Sequence, residues 1–372
     1  MNSAGSFAPD YAAARALFVE AAAAAGGRLE RLTHPERGPD GASLSCDVAW
    51  FGPADAPNVL VTISATHGVE GFAGSGGQVD WLRRGEAARL APGVGVLMIH
   101  AINPYGFAWL RRVTQENVDL NRNWIDFSAP PPRNPGYDSL ADVLCPAEWT
   151  RQTRAAAAAA IGAYAGVHGP AALAHVLTGG QYGHPSGVYY GGAAPTWSRR
   201  TQTAILDNYL RQARRVAVID VHTGLGPWGV GEQIVTQPRA APAFRRARAW
   251  FGAAVTSTFD GSSPSAPLIG DGLAATPALL PWAQVTPMAL EIGTLPSDQV
   301  VWALIADNWL HARGDPDSPI GRAIKANTRA AFYVDTDDWK GMVAAQYLLA
   351  CRQAVAGAGR RRGGGRAGEP DA

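Results

Sequence analysis

Val59-Leu60-Val61-Thr62-Ile63-Ser64 runs directly into Ala65-Thr66-His67-Gly68-Val69-Glu70-Gly71. The first part is a continuous apolar run rich in β-branched side chains, the pattern of a strand buried on both faces. The second part puts His67 and Glu70 three residues apart just beyond that strand's carboxyl end. In α/β sheets, ligands bind beyond the carboxyl ends of strands. The spacing predicts a tight turn that gathers both side chains at one point, with Gly68 and Gly71 supplying the backbone freedom.

Outward from this stretch, the same alternation continues. Gly95–Ile102, Val216–Val221 and Val285–Ile292 are further apolar, β-branched runs and read as buried strands. Asp10–Ala25, Gln78–Arg84, Arg151–Ala165, Thr201–Arg214, Phe244–Val255, Val301–Arg313 and Gly341–Val355 carry helical patterns. Strands alternating with helices predict an α/β fold, a single domain over residues 1–356 with a mixed, mostly parallel central sheet flanked by helices. Asp126–Tyr137, Gly179–Ala194 and Asp260–Ala274 are rich in Pro, Gly or Ser and read as long loops, which in compact domains are often functional. Residues 357–372 form a Gly- and Arg-rich tail whose composition predicts disorder.

Imidazole plus carboxylate is two-thirds of a catalytic zinc set, which comprises three protein ligands and an open position. A third ligand must come from elsewhere. Val216–Val221 leads into His222-Thr223-Gly224, again a histidine after an apolar strand and before a Gly-rich turn. The other histidines fit less well. His34 reads as part of a polar turn, His100 as a core histidine inside a strand, and His168, His175, His184 and His311 have no carboxylate at ligand spacing.

Glu291 stands between Leu290 and Ile292 in the last apolar run. A carboxylate there must be paired, protonated or functional. Near a metal, its pKa would be tuned for proton transfer. The polar segment Asn117-Val118-Asp119-Leu120-Asn121-Arg122-Asn123-Trp124 offers Asn121 and Arg122 as a clamp for a substrate carboxylate, a guanidinium fork plus an amide donor. Arg111 and Arg112 add two cations just upstream.

Composition narrows the partners. Lys+Arg is 32 and Asp+Glu 31, a net charge of +1, so nothing calls for nucleic acid or an anionic membrane. Cys46, Cys145 and Cys351 are far apart with no Cys-x-x-Cys pair, which argues against a disulfide framework or a thiolate metal site. No secretory signal or membrane-spanning run is evident, and a cytoplasmic location is expected. Gly74-Ser75-Gly76-Gly77 does not make a Gly-x-Ser-x-Gly elbow, which removes the main motif for a serine hydrolase.

His67-x-x-Glu70, Asn103-Pro104-x-Gly106-Phe107, Asp119-Leu120-Asn121-Arg122-Asn123-Trp124, His222 and Glu291 follow one another in an order that resembles zinc carboxypeptidases of the M14 type. Arg111-Arg112-Val113, Asn117 through Asn123 and Asp220-Val221-His222-Thr223-Gly224-Leu225-Gly226 resemble more closely a bacterial branch labelled DUF2817. Aspartoacylase and succinylglutamate desuccinylase are similar, more distant deacylases. The resemblance implies a phosphorylase/hydrolase-like fold and one Zn2+ per chain on His67, Glu70 and His222. It implies Glu291 as general base and then acid. Arg112, or Arg111 in the alternative register, would polarise the scissile carbonyl. Asn121 and Arg122 would hold a carboxylate, and Asp119 would orient His67. The implied substrate is a small peptide or N-acyl amino acid bearing a carboxylate.

One departure matters. The carboxypeptidases place a mobile tyrosine between the last zinc histidine and the catalytic glutamate, and no tyrosine lies between His222 and Glu291. That weakens an exopeptidase reading and favours a small acylated substrate. The insertion between Asn123 and Val216 is placed to cover the cleft. A non-catalytic metal or ligand-binding protein with a retired site is the competing class.

Overall fold

The computed structural model of the chain describes residues 3–359. Eight strands form one sheet: β1 (Arg28–Arg37), β2 (Ser43–Phe51), β3 (Asn58–Ile63), β4 (Val94–His100), β5 (Arg215–Trp228), β6 (Gly231–Val235), β7 (Thr256–Ser257) and β8 (Gln284–Gly293). Their order is β1-β2-β4-β3-β5-β8-β6-β7. The central four, β4-β3-β5-β8, are parallel, while β1, β2 and β6 join antiparallel. This is the expected α/β architecture with a mixed sheet.

The central strands are apolar on both faces because both faces are covered. Leu60, Val96, Met98, Ile219, Val221, Leu290 and Ile292 pack with the helices Tyr11–Ala24, Gly71–Arg83, Pro242–Phe251 and Asp337–Gly359. The alternate residues Val59, Val61, Leu97, Ile99, Val216, Val218 and Val285 pack on the other side, beneath helices Trp197–Leu210 and Gly272–Leu279. Two-residue alternation therefore sorts each strand between two cores.

The strand order also fixes where the site lies. The chain passes from β3 to its neighbour β4, then crosses back to place β5 on the other side of β3. The carboxyl ends of β3 and β5 thus flank a switch point, where an open α/β sheet leaves a crevice.

Several sequence expectations are corrected. His34 lies in β1, buried, not in a turn. The strand predicted as Val216–Val221 continues to Trp228, so His222 is inside β5 rather than beyond it. The loop read over Asp260–Ala274 ends early, because Asp271 caps a helix that starts at Gly272. Gly357–Gly359 belong to the last helix; the rest of the tail lies outside the described residues. Cys46, Cys145 and Cys351 are buried and unpaired. No helix among the described residues is long and apolar enough to cross a membrane.

Candidate metal centre

The turn after β3 forms without the two glycines reaching left-handed backbone. That conformation falls instead on Ala65, with φ 58°. Gly68 is needed for a different reason: a Cβ there would lie 2.0 Å from the backbone carbon of Gly106. This close approach lets the amides of Gly68 and Val69 donate to the carbonyls of Arg112 and Arg111. The two segments are thereby locked together, and Arg112 is held against Glu70.

His67, Glu70 and His222 converge. One ligand atom from each lies within 4.8 Å of the others, and all three residues are buried. The Nδ1 atoms of His67 and His222 are 3.1 Å apart. Nδ1 of His67 is 2.9 Å from Glu70 Oε1, and Nδ1 of His222 is 3.1 Å from Glu70 Oε2. The Thr223 amide also donates to Glu70. Burial alone would raise the Glu70 carboxyl; the charges of His67 and His222 hold it below its ordinary range.

Each imidazole is backed by a carboxylate. Nε2 of His67 lies 3.2 Å from Asp119 Oδ1. Nε2 of His222 lies 2.9 Å from Asp220 Oδ2, a charge contact whose geometry falls short of an aligned hydrogen bond. Asp220 is itself fixed by the Thr66 hydroxyl, at 2.8 Å from one oxygen. Such outer carboxylates set the tautomer and orientation of metal-ligating histidines. Two imidazole Nδ1 atoms and a carboxylate turned inward on one point, with both Nε2 atoms turned outward to acids, make a donor set that fits a divalent cation. Neither Asp220 nor Thr66 has a role in the sequence analysis; an acid two residues before a strand histidine, and so on the same strand face, is the signal that marks Asp220.

The arginines separate cleanly. Arg112 donates from Nε to Asp119 Oδ2 at 2.9 Å and from Nη1 to Glu70 Oε1 at 3.0 Å. Despite burial, which opposes its charge, Asp119 and Glu70 keep Arg112 firmly protonated. In turn, burial would raise the Asp119 carboxyl, but Arg112 and Arg122 hold it well below its usual value. Arg111 is not brought to this cluster. Its guanidinium meets Asp307 at 3.4 Å and Asn117 at 2.7 Å.

Glu291 pairs in register with His222 across β5 and β8, so the two side chains share a face. It is partly exposed, not sealed among Leu290 and Ile292 as the sequence suggested, and it accepts the Leu225 amide at 3.1 Å. Burial and the charge of Glu70 push its carboxyl up to about 8. On the far side, Glu232 stands opposite Glu291 in the β6–β8 register and is held by the Thr256 hydroxyl.

Asn121 and Arg122 lie beside the cluster but are partly committed to structure. The Arg122 guanidinium donates to the carbonyls of Thr178 and Asn121, and Asn121 Oδ1 accepts the Gly272 amide at 3.4 Å. This segment anchors the 124–215 insertion: Asp119 N donates to Tyr190 O, Asn123 Nδ2 to Gly191 O, and the Tyr182 hydroxyl to Arg122 O. The insertion thereby delivers Tyr189, a residue no sequence pattern singled out, with its ring 5.6 Å from Arg112 Cζ and 5.4 Å from Arg122 Cζ.

All the non-glycine residues with positive φ among those described are Ala65, Ala101, Leu110, Asn117 and Tyr189. They follow β3, follow β4, precede the arginine pair, precede Asp119 or lie on the insertion. Such conformations cost of order 1–3 kcal/mol each and gather at functional sites.

Several solved structures resemble the chain at low identity. Carboxypeptidase A from Helicoverpa armigera is 12% identical, with 87% of this chain and 73% of that one covered and a TM-score of 0.47. Bovine thrombin-activatable fibrinolysis inhibitor is 10% identical, with 93% and 97% covered and a TM-score of 0.45. Succinylglutamate desuccinylase from Chromobacterium violaceum is 14% identical, with 81% and 74% covered and a TM-score of 0.38. No curated protein matches the sequence. Residues 7–346 match the family model described as "Protein of unknown function (DUF2817)", nearly the whole of the described chain, and the chain belongs to that family.

Proposed function

We propose that the protein is a zinc-dependent hydrolase of amide bonds, acting on a small N-acyl amino acid or peptide that carries a carboxylate. The observation that carries this reading is the convergence of His67 and Glu70, from the turn after β3, with His222, from within β5, an acid lying behind each imidazole and Glu291 in register beside His222. One Zn2+ per chain would be held by those three residues. When bound, zinc supplies Lewis acidity and brings the pKa of water towards ~7.

The chain's own groups divide the remaining work. Glu291, partly exposed and with its carboxyl raised by its surroundings and by Glu70, takes, in its ionised form, a proton from the attacking water and returns it to the leaving amine. Arg112, fixed by Asp119 and Glu70, presents its charge to the carbonyl oxygen as negative charge develops there. Asn121 and the unspent N–H groups of Arg122 orient the substrate carboxylate. Asp119 and Asp220 orient the imidazoles.

The test is a hydrolysis panel. Zinc-loaded protein is assayed against N-acetyl, N-succinyl and N-formyl amino acids, against dipeptides, and against the matching C-terminal carboxamides. The reading expects release of a free amine from the carboxylate-bearing compounds and little from the carboxamides. No release from any member would contradict it.

A further inference from the structure

We propose that the Tyr189 hydroxyl is a binding contact for the substrate's carboxylate, donated by the 124–215 insertion between Arg112 and Arg122. The proposal rests on the hydrolase reading above and extends it to a residue outside the motifs.

Tyr189 is held in a conformation an aromatic residue rarely adopts, with φ 56°. Its surroundings enforce this. The Gln181 amide donates to the Tyr189 carbonyl at 3.2 Å, the Gln181 side chain to Val188 O at 3.3 Å, and Asp119 N to Tyr190 O at 2.8 Å. Both flanks of the residue are thus pinned, one of them to the same aspartate that backs His67. The outcome is that the ring lies against two guanidiniums at once. A strained backbone that serves only packing has no need of this placement, and a phenylalanine would satisfy the cation contacts alone.

The hydroxyl is the part left over. It makes no hydrogen bond among the described residues, yet it is not one of the oxygens sealed in the interior, as those of Tyr137 and Tyr347 are. Burial of the residue raises its pKa despite the neighbouring arginines, so the phenol remains a donor at neutral pH. A neutral donor on a ring that lies against two guanidiniums suits an anion. Asp119 faces both guanidiniums and Glu70 takes a further bond from Arg112, so much of their charge is already offset. The little that remains favours a monoanion such as a carboxylate over a dianionic phosphate.

Binding is measured by calorimetry on full-length, zinc-loaded protein carrying Glu291→Gln to prevent turnover, with and without Tyr189→Phe. The probes are the tightest binder among the N-acetyl derivatives of the common amino acids and its carboxamide. We expect Tyr189→Phe to weaken the acid about tenfold or more, the worth of one charge-assisted hydrogen bond, and to leave the carboxamide within about twofold. Unchanged affinity for both probes would overturn the proposal. So would an equal loss for both, which would assign Tyr189 to structure alone. If the parent protein binds no acid more tightly than its carboxamide, the carboxylate-substrate reading fails and takes this proposal with it.

Discussion

The Nδ1 atoms of His67 and His222 face each other across 3.1 Å, with the two oxygens of Glu70 turned towards the same point. Two ring nitrogens at that distance satisfy one another only if a proton or a cation lies between them. Their Nε2 atoms face Asp119 and Asp220, which favours the proton there and leaves both Nδ1 lone pairs for a cation.

Asp119→Asn therefore tests the outer shell. Loss of the negative partner should reduce zinc affinity by about 10–100-fold while leaving the three ligands in place. Competition with a chromophoric chelator measures this. Unchanged affinity would remove Asp119 from its orienting role.

Glu291→Gln should retain full zinc content and lose about 10²–10⁴ in kcat, the usual worth of a positioned acid–base group. The two readouts separate this from a metal-binding defect. Normal turnover would make Glu291 a bystander.

The two arginines should behave differently. Arg112→Met should lower kcat/KM by about 10²–10³, because its charge faces the site. Arg111→Met should act on stability, by roughly 1.5–3 kcal/mol, because it strips a buried partner from Asp307 and Asn117. Urea denaturation and kinetics on the same samples check both. Equal kinetic losses with no change in stability would contradict the assignment.

His100 gives a pH signature away from the site. It stacks on Phe18, touches Ser75, and burial lowers its pKa to about 4. Between about 4 and the ordinary value near 6.5 the unfolded chain binds a proton that the folded chain does not. Stability contributed by neutral His100 is present above 6.5 and falls as pH drops, by about 3 kcal/mol in full. The stability gap between wild type and His100→Asn should thus narrow by about 2 kcal/mol from pH 7 to pH 4.5. A gap that does not change would show that the folded protein accommodates the charged ring.

The central strands and the metal cluster were legible in the sequence because each is a local signal. β3, β4, β5 and β8 are apolar runs; His67 and Glu70 follow β3, and His222 follows the apolar stretch of β5. β1 was not legible. It is an edge strand of mostly exposed, charged residues, and only pairing with β2 makes it a strand. β2 hides its pattern behind Asp47, a buried charge neutralised by Arg15 from a distant helix at 2.6 Å. Helix Pro319–Phe332, absent from the sequence reading, does carry local signals: a Ser318 cap, an early proline and a buried face of Ile324, Thr328, Ala331 and Phe332. The separation of Arg111 from Arg112 depends on Asp307, nearly two hundred residues away in the chain. Tyr189 depends on a loop whose course is set by bonds to residues 119–123.

The most direct test of the central claim is elemental analysis of the purified full-length protein beside His67→Ala and His222→Ala. About one zinc per chain in the wild type, lost in both variants, is the predicted result. Wild-type protein that takes up no divalent metal even when zinc is supplied, or variants that retain it, would contradict the site.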